Sequence, residues 1–183
     1  MAVLLKRLSC AERDGDSILG VIRGSGVNHG GRVRSLTVPN PRAQAALIAE
    51  VHERAGVSPR TVTYVEAHGT GTPMGDPIEL AGLREAFARG AAGKDAEGGP
   101  WCGLGSVKSN LGHMEAAAGA AGLVKVLLAM RHGVLPASLH LSEVNPRLDL
   151  EGSPFWLVDR RRPWTRPVDP PGRPLPRRAG LSS

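Results

Sequence analysis

Two segments of this 183-residue chain follow one plan: a short β-branched or apolar run, a polar turn carrying a histidine, then a helical pattern. In the first, Val62-Thr63-Tyr64-Val65 leads into Glu66-Ala67-His68-Gly69-Thr70-Gly71-Thr72. In the second, Cys102–Val107 leads into Lys108-Ser109-Asn110-Leu111-Gly112-His113. Repetition of strand, turn and helix restricts the chain to an α/β layered fold with a sheet between helices. In open sheets of that kind, ligands bind just beyond the carboxyl ends of the strands, where loops converge. Two histidines delivered in this way can share one pocket, and the glycines beside them let a substrate approach the backbone.

The remaining elements follow from periodicity and punctuation. Asn40 and Pro41 make a cap and first turn, Ala45, Leu47, Ile48 and Val51 recur at helical spacing, and Gly56 supplies the left-handed end. Asp76-Pro77-Ile78-Glu79 has the form of a capping box opening a helix to about Ala88. The stretch from about Met114 to His132 is helical and rich in small residues at its start, which predicts a buried, closely packed helix ending at Gly133. Phe155–Val158 and Ala179–Ser182 read as strands on either side of an Arg/Pro-rich segment. At the start, Ala2–Leu8 and Ser17–Ser25 read as two strands joined by a turn at Asp14-Gly15. Asn28–Asn40 reads as a loop and Gly90–Pro100 as a Gly-rich linker.

Composition narrows the function. The net charge is +6, but from Glu151 onward seven arginines face Glu151, Asp159 and Asp169, so four of the six excess charges lie in that one segment. With aromatic residues at 3% and no base-reading motif, a solvated basic surface is favoured over a nucleic-acid partner. No apolar run reaches the ~18–20 residues of a membrane span, and MAVLLKRLSC is not a signal peptide. Cys10 and Cys102, far apart, exclude a disulfide scaffold and a four-cysteine zinc site, and a reducing cytoplasm is the expected compartment.

As chemistry, His113 lies at the start of the small-residue helix, where the partial positive charge disfavours imidazolium and leaves a neutral N–H donor. Lys108 adds a cation five residues earlier. Two neutral donors and a lysine suit a reaction that forms an enolate, and they bring no nucleophile with them. A structural role for each histidine stands beside this reading. Metal binding by His68 and His113 lacks a third ligand at ligand spacing. Gly69–Gly75 is one residue too long for G-x-G-x-x-G and lacks the Gly-Lys-Ser/Thr of a phosphate loop. Cys10 and Cys102 have no partner base, and His29, His52, His132 and His140 have no supporting neighbours.

Glu66–Pro73 with Gly75-Asp76-Pro77-Ile78-Glu79, and Gly105–His113 running into Glu115-Ala116-Ala117-Ala118-Gly119, closely resemble blocks of the ketosynthase domains of modular polyketide synthases. Leu4–Leu8 and Arg178–Ser183 extend the resemblance to both ends. It implies the C-terminal half of a thiolase-like fold, a layered α/β/α arrangement with a mixed sheet flanked by helices. It further implies decarboxylative Claisen condensation, with substrates carried on the phosphopantetheine of acyl carrier protein and no cofactor bound directly. His68 and His113 would bind the malonyl thioester carbonyl, Lys108 would order the site electrostatically, and Thr70 and Thr72 would contact the phosphopantetheine arm. Glu115 is placed as a partner for Lys108 by nearness in sequence alone. Intact domains of the family are homodimers.

The family's nucleophilic cysteine sits in a Thr-Ala-Cys-Ser-Ser-type elbow, which this chain lacks, and the sequence stops before the Gly-Phe-Gly-Gly-Thr-Asn-type loop. The chain therefore reads as a partial domain: 1–34 ends the N-terminal half, 35–150 forms the C-terminal half, and 151–183 holds the Arg/Pro-rich segment and last strand. The expectation is an inactive, aggregation-prone polypeptide in isolation, whose partners are acyl carrier protein and the missing half-domain. The alternative is a non-catalytic module that docks on carrier protein or on a partner half-domain.

Overall fold

A computed structural model of the chain describes residues 2–31, 39–90, 99–169 and 171–183. The elements run α1 (Leu8–Arg13), α2 (Pro41–Ala55), β1 (Tyr64–Glu66), α3 (Gly75–Gly90), β2 (Cys102–Gly105), α4 (Lys108–Leu111), α5 (Ala118–His132), β3 (Val134–Leu135), β4 (Phe155–Leu157), β5 (Arg162–Pro163) and β6 (Ala179–Leu181). Short 3₁₀ turns precede β1 at Pro59–Thr61 and α5 at Glu115–Ala117. No helix among the described residues is long and apolar enough to cross a membrane.

Local chemistry sets the helix ends. The Asn40 side chain accepts from the Arg42 and Ala43 N–H groups at 3.1 and 3.3 Å, and Gly56 closes α2 at φ +60°. Gly133 closes α5 in the same left-handed way. The helix expected from Met114 is entered through the 3₁₀ turn, and its small residues Ala118, Ala121 and Gly122 are buried. The four-residue α4 falls where the sequence pattern predicts only a polar turn.

The principal sheet is parallel throughout, in the order β4-β2-β1-β6, while β3 and β5 form a separate antiparallel pair. Side chains alternate across the principal sheet. Val65, Ala67, Cys102, Leu104 and Phe155 pack with Leu80, Leu83, Ala86 and Phe87 of α3 and Ala45 of α2. Tyr64 faces the other way, into a cluster with Val126 and Ala129 of α5, Leu135, Val158 and Trp164. Helices thus cover both faces, giving three layers.

The opening segment corrects the sequence reading. Residues 8–13 are helical, and neither Ala2–Leu8 nor Ser17–Ser25 is a strand. Strands are held by ladder bonds to a neighbour, and no described strand lies beside these residues. Ile18, Leu19, Val21 and Ile22 are exposed as a result. Residues 32–38 of the expected loop and 91–98 of the expected linker lie outside the described residues.

Gly105 shows how tightly the layers meet. A Cβ there would lie 2.8 Å from the Tyr64 hydroxyl, which is fully buried. Gly105→Ala is expected to displace the Tyr64 ring and to cost about 1–3 kcal/mol, read as a lowered denaturation midpoint. An unchanged midpoint would mean that Tyr64 relaxes freely.

Candidate active site

β1 and β2 are neighbours in register Tyr64↔Gly103, Val65↔Leu104 and Glu66↔Gly105, so their carboxyl ends open on the same edge of the sheet. The His68 loop leaves β1 there, and the Lys108–His113 segment leaves β2. The two imidazoles meet with ring centroids 5.5 Å apart and planes at 81°.

Each ring has its own environment. His113 is exposed, and its Nδ1 accepts the Glu115 backbone N–H at 3.0 Å. An accepting Nδ1 carries no proton, so the ring proton is on Nε2, and that N–H is the group His113 can donate. The neutral tautomer comes from this backbone donor, since α5 begins five residues further on. His68 is half-buried, and its Nδ1 is sealed without a partner among the described residues. Burial chiefly, then the Lys108 charge, hold His68 below the ordinary histidine range. Glu79 opposes this, His113 adds to it, and Asp76 opposes it more weakly.

The His68 loop is held by two carboxylates from the start of α3, Asp76 in its first turn and Glu79 just beyond it. Glu79 is buried, its Oε1 accepting the His68 N–H at 2.7 Å and its Oε2 the Gly69 N–H at 2.9 Å. Asp76 Oδ1 accepts the Gly71 N–H at 3.1 Å. The expected capping box is therefore put to another use. α3 starts at Gly75, and both acids reach back to the loop. Burial raises the Asp76 carboxyl above its ordinary range, against the Gly71 N–H, the His68 charge and the Thr72 N–H. Gly69 is required on two counts: φ is +49°, and a Cβ would lie 2.8 Å from the Ser106 Cβ.

The other expected residues are distributed around this pair. Thr70 and Thr72 are exposed on the loop with hydroxyls 3.4 Å apart, and Thr72 Oγ1 also accepts the Gly75 N–H at 3.0 Å, so that it caps α3. Lys108 opens α4, where its N–H meets Ser106 Oγ at 3.3 Å. Among the described residues no ion pair joins Lys108 to Glu115. Glu115 is exposed, at φ +48°, and what it brings to the site is its backbone N–H. Cys102 is fully buried within β2, and burial pushes its thiol well up. Cys10 lies on α1, half-buried.

The sequence reading missed a charged group beneath the site. Glu66, 1% exposed on β1, accepts the Tyr64 hydroxyl at 2.6 Å and the Val107 N–H at 2.5 Å, and its Oε2 lies 2.8 Å from Lys125 Nζ of α5. Lys125 is opposed by that charge with no aligned hydrogen-bond acceptor among the described residues, and it stands 5.6 Å over the Tyr64 ring. The signal was a lone charge in each of two apolar elements, Tyr64-Val65-Glu66 and Gly122-Leu123-Val124-Lys125-Val126-Leu127-Leu128. Among the described residues there is no group of three or more His, Cys, Asp or Glu that could hold a metal ion.

Three layers around a parallel sheet, with paired histidine loops at the carboxyl edge of its two central strands, define part of a thiolase-like fold. The chain belongs to the beta-ketoacyl synthase family, its residues 19–142 matching "Beta-ketoacyl synthase, C-terminal domain". It is 55% identical over 183 residues to polyketide synthase PksN of Bacillus subtilis (strain 168), covering 99% of this chain and 3% of that protein. It is 50% identical over 184 residues to polyketide synthase ThaG of Burkholderia thailandensis, covering 99% of this chain and 3% of that protein. Among solved structures it resembles the oxazolomycin ketosynthase domain OzmH KS7 of Streptomyces albus JA3453, with TM-score 0.89 and 52% identity. The ketosynthase from module 6 of the bacillaene synthase of Bacillus subtilis 168 gives TM-score 0.87 at 41% identity. Each superposition covers 96% of this chain and 30% of the other, so the chain spans less than a third of the ketosynthases it matches.

Removing one partner of the buried pair leaves an uncompensated charge. Lys125→Met is expected to destabilise the fold by about 3–5 kcal/mol, with Glu66→Gln in the same chain recovering most of the loss. Denaturant unfolding of the two single variants and the double variant measures the coupling. Additive losses would deny it.

Proposed function

We propose that this chain supplies the decarboxylating half of a polyketide ketosynthase. It binds a malonyl-type thioester carried on acyl carrier protein and generates the enolate that extends an acyl chain. The reading rests above all on two imidazoles whose rings lie 5.5 Å apart at the edge of the sheet. The bond from the malonyl C2 to its carboxylate breaks, CO₂ leaves, and the electron pair passes into the thioester carbonyl as an enolate. N–H groups of His68 and His113 would stabilise the charge growing on that oxygen, and Lys108 supplies positive potential beside them. C2 then forms the new bond to an acyl thioester carbonyl, and the thiolate that held the acyl group departs.

That acyl-bearing thiol is proposed to lie in the N-terminal half of the ketosynthase. Cys102 is buried with a raised thiol pKa and faces the α3 core, away from the histidines. Thr70 and Thr72, exposed beside His68, are proposed to meet the phosphopantetheine arm. The division 1–34, 35–150 and 151–183, a homodimeric intact domain and a cytoplasmic setting, in keeping with two free cysteines, belong to the same proposal.

In the ketosynthase carrying this chain, His68→Ala and His113→Ala are each expected to slow malonyl-thioester decarboxylation by about 10²–10³-fold, followed as CO₂ release. The 183-residue chain alone is expected to show no condensation in the same assay. Wild-type decarboxylation by either alanine variant, or condensation by the isolated chain, would overturn the reading.

The pH dependence has a definite sign. Activity needs neutral His68, whose pKa is held below the ordinary 6.5, so kcat/KM should fall only as pH drops below that value. The Lys108 cation disfavours a second positive charge nearby, so Lys108→Met should raise the His68 pKa and move the acid limb to higher pH. An acid limb that stays in place would remove Lys108 from this role.

A further inference from the structure

We infer that Ser109 is the positioning residue of the second histidine turn, its hydroxyl pinning α4 to the segment that follows β3 and so setting where His113 stands against His68. The inference rests on the reading of His113 proposed above and adds to it a residue that acts only through that imidazole.

The hydroxyl is engaged on both sides. Its proton has two acceptors, Ser106 O at 3.1 Å and Asn110 Oδ1 at 3.2 Å, and its oxygen accepts the Leu139 N–H at 3.0 Å. A helical serine that bonds back to a nearby carbonyl holds its own turn. This one reaches a distant segment as well. Among the described residues it makes the only hydrogen bond from α4 to anything beyond the end of β2. The segment it grips is itself fixed. The Ser138 N–H is taken by Val158 O at 2.8 Å and the Val158 N–H by Leu104 O at 3.0 Å, so the residue before Leu139 is tied to the sheet. The residue after it, His140, turns the chain at φ +58°, a left-handed conformation that a non-glycine residue adopts at a cost.

The rest of the turn has little to hold it. Residues 110–116 are exposed, and their other hydrogen bonds are local: Leu111 N–H to Val107 O, Gly112 N–H to Lys108 O and Glu115 N–H to His113 Nδ1. Gly112 hands the chain to His113 at φ +77°. The place of His113 is therefore inherited from α4. That helix is pinned at its base by the Val107 N–H on Glu66 and at its side by Ser109 on Leu139. Removing the Ser109 hydroxyl releases the second pin and leaves both imidazoles in the chain.

In the ketosynthase carrying this chain, Ser109→Ala should lower kcat for malonyl-thioester decarboxylation by about 10-fold, with KM within about twofold. Ser109→Thr keeps a hydroxyl that can bond three residues back and should restore most of the rate. Added to His113→Ala, Ser109→Ala should cost nothing further, because its effect passes through that ring. Hydrogen exchange over the peptide holding Leu139, followed by mass spectrometry, reads the tie whether or not His113 meets substrate, and Ser109→Ala should speed it. Loading of the acyl group onto the ketosynthase forms no enolate, so its rate should stay at the wild-type value. Wild-type kcat in folded Ser109→Ala, equal losses of loading and decarboxylation, a further loss on the His113→Ala background, or unchanged exchange at Leu139 would overturn the inference. If His113→Ala retains decarboxylation while Ser109→Ala speeds the exchange, the functional reading fails and the tie between α4 and Leu139 stands.

Discussion

The parallel pairing of β1 with β2 is the constraint on which the site depends. In an antiparallel pair the two carboxyl ends would lie at opposite edges. In the observed register both strands release their loops at one edge, and the ladder continues through Ala67 N–H to Gly105 O. Neighbouring strands lie about 4.8 Å apart, the same scale as the separation of the two imidazoles. His113 reaches that edge only because the chain turns back through α4, and the Val107 N–H that starts the turn is held by Glu66 of the adjacent strand. A slip of one residue along β1 would exchange its faces. Glu66 would then enter the apolar layer of Leu80, Leu83 and Phe87, far from Lys125, at the cost of a buried unpaired charge.

The acids of this region share one physical role. Loops at a sheet edge carry backbone N–H groups with no ladder partner, and those shielded from water must find an acceptor. Glu66 takes the Val107 N–H and Glu79 those of His68 and Gly69, while Asp76 takes that of the exposed Gly71. Glu66 also balances Lys125. Lys108 is left beside the histidines without an ion-pair partner among the described residues, and its charge adds to the burial that chiefly lowers the His68 pKa. Positive potential with uncharged N–H donors is a combination that an enolate oxygen can use and that a carboxylate paired to Lys108 would cancel.

How much of this could be read from the sequence depends on the range of the interaction. The ends of α2 were legible because Asn40, Pro41 and Gly56 act within a few residues, and the two histidine turns were legible because strand and turn chemistry are local. The meeting of the turns required only that β1 and β2 be neighbours, which the α/β pattern favours. Asp76 and Glu79 fit a capping box perfectly well, yet the part-buried N–H groups of His68 and Gly69 had a stronger claim on the Glu79 carboxylate than its own helix did. The pairing of Glu66 with Lys125 joins residues 59 positions apart, and only the lone charge in each apolar element hinted at it. Nearness in sequence pairs Glu115 with Lys108, but a left-handed backbone at Glu115 turns its N–H to His113 instead.

The segment Ser17–Ser25 separates two things that a β pattern encodes. Gly20 and Gly24 within it, and Gly26 just beyond it, share one parity in the sequence. All three glycines lie against helices, with Cβ positions at 2.6–3.2 Å from Leu127, Val51 or Leu47, so this face is selected for close approach to α5 and α2. Leu19, Val21 and Val27, of the other parity, are exposed at 59%, 48% and 96%, and Ile18 and Ile22, of the glycines' own parity, are exposed as well at 42% and 56%. The β-branched, apolar composition of the segment was read as a strand, and the structure places no ladder there. A ladder is a property of two strands, and a single strand's sequence specifies its faces without specifying its neighbour.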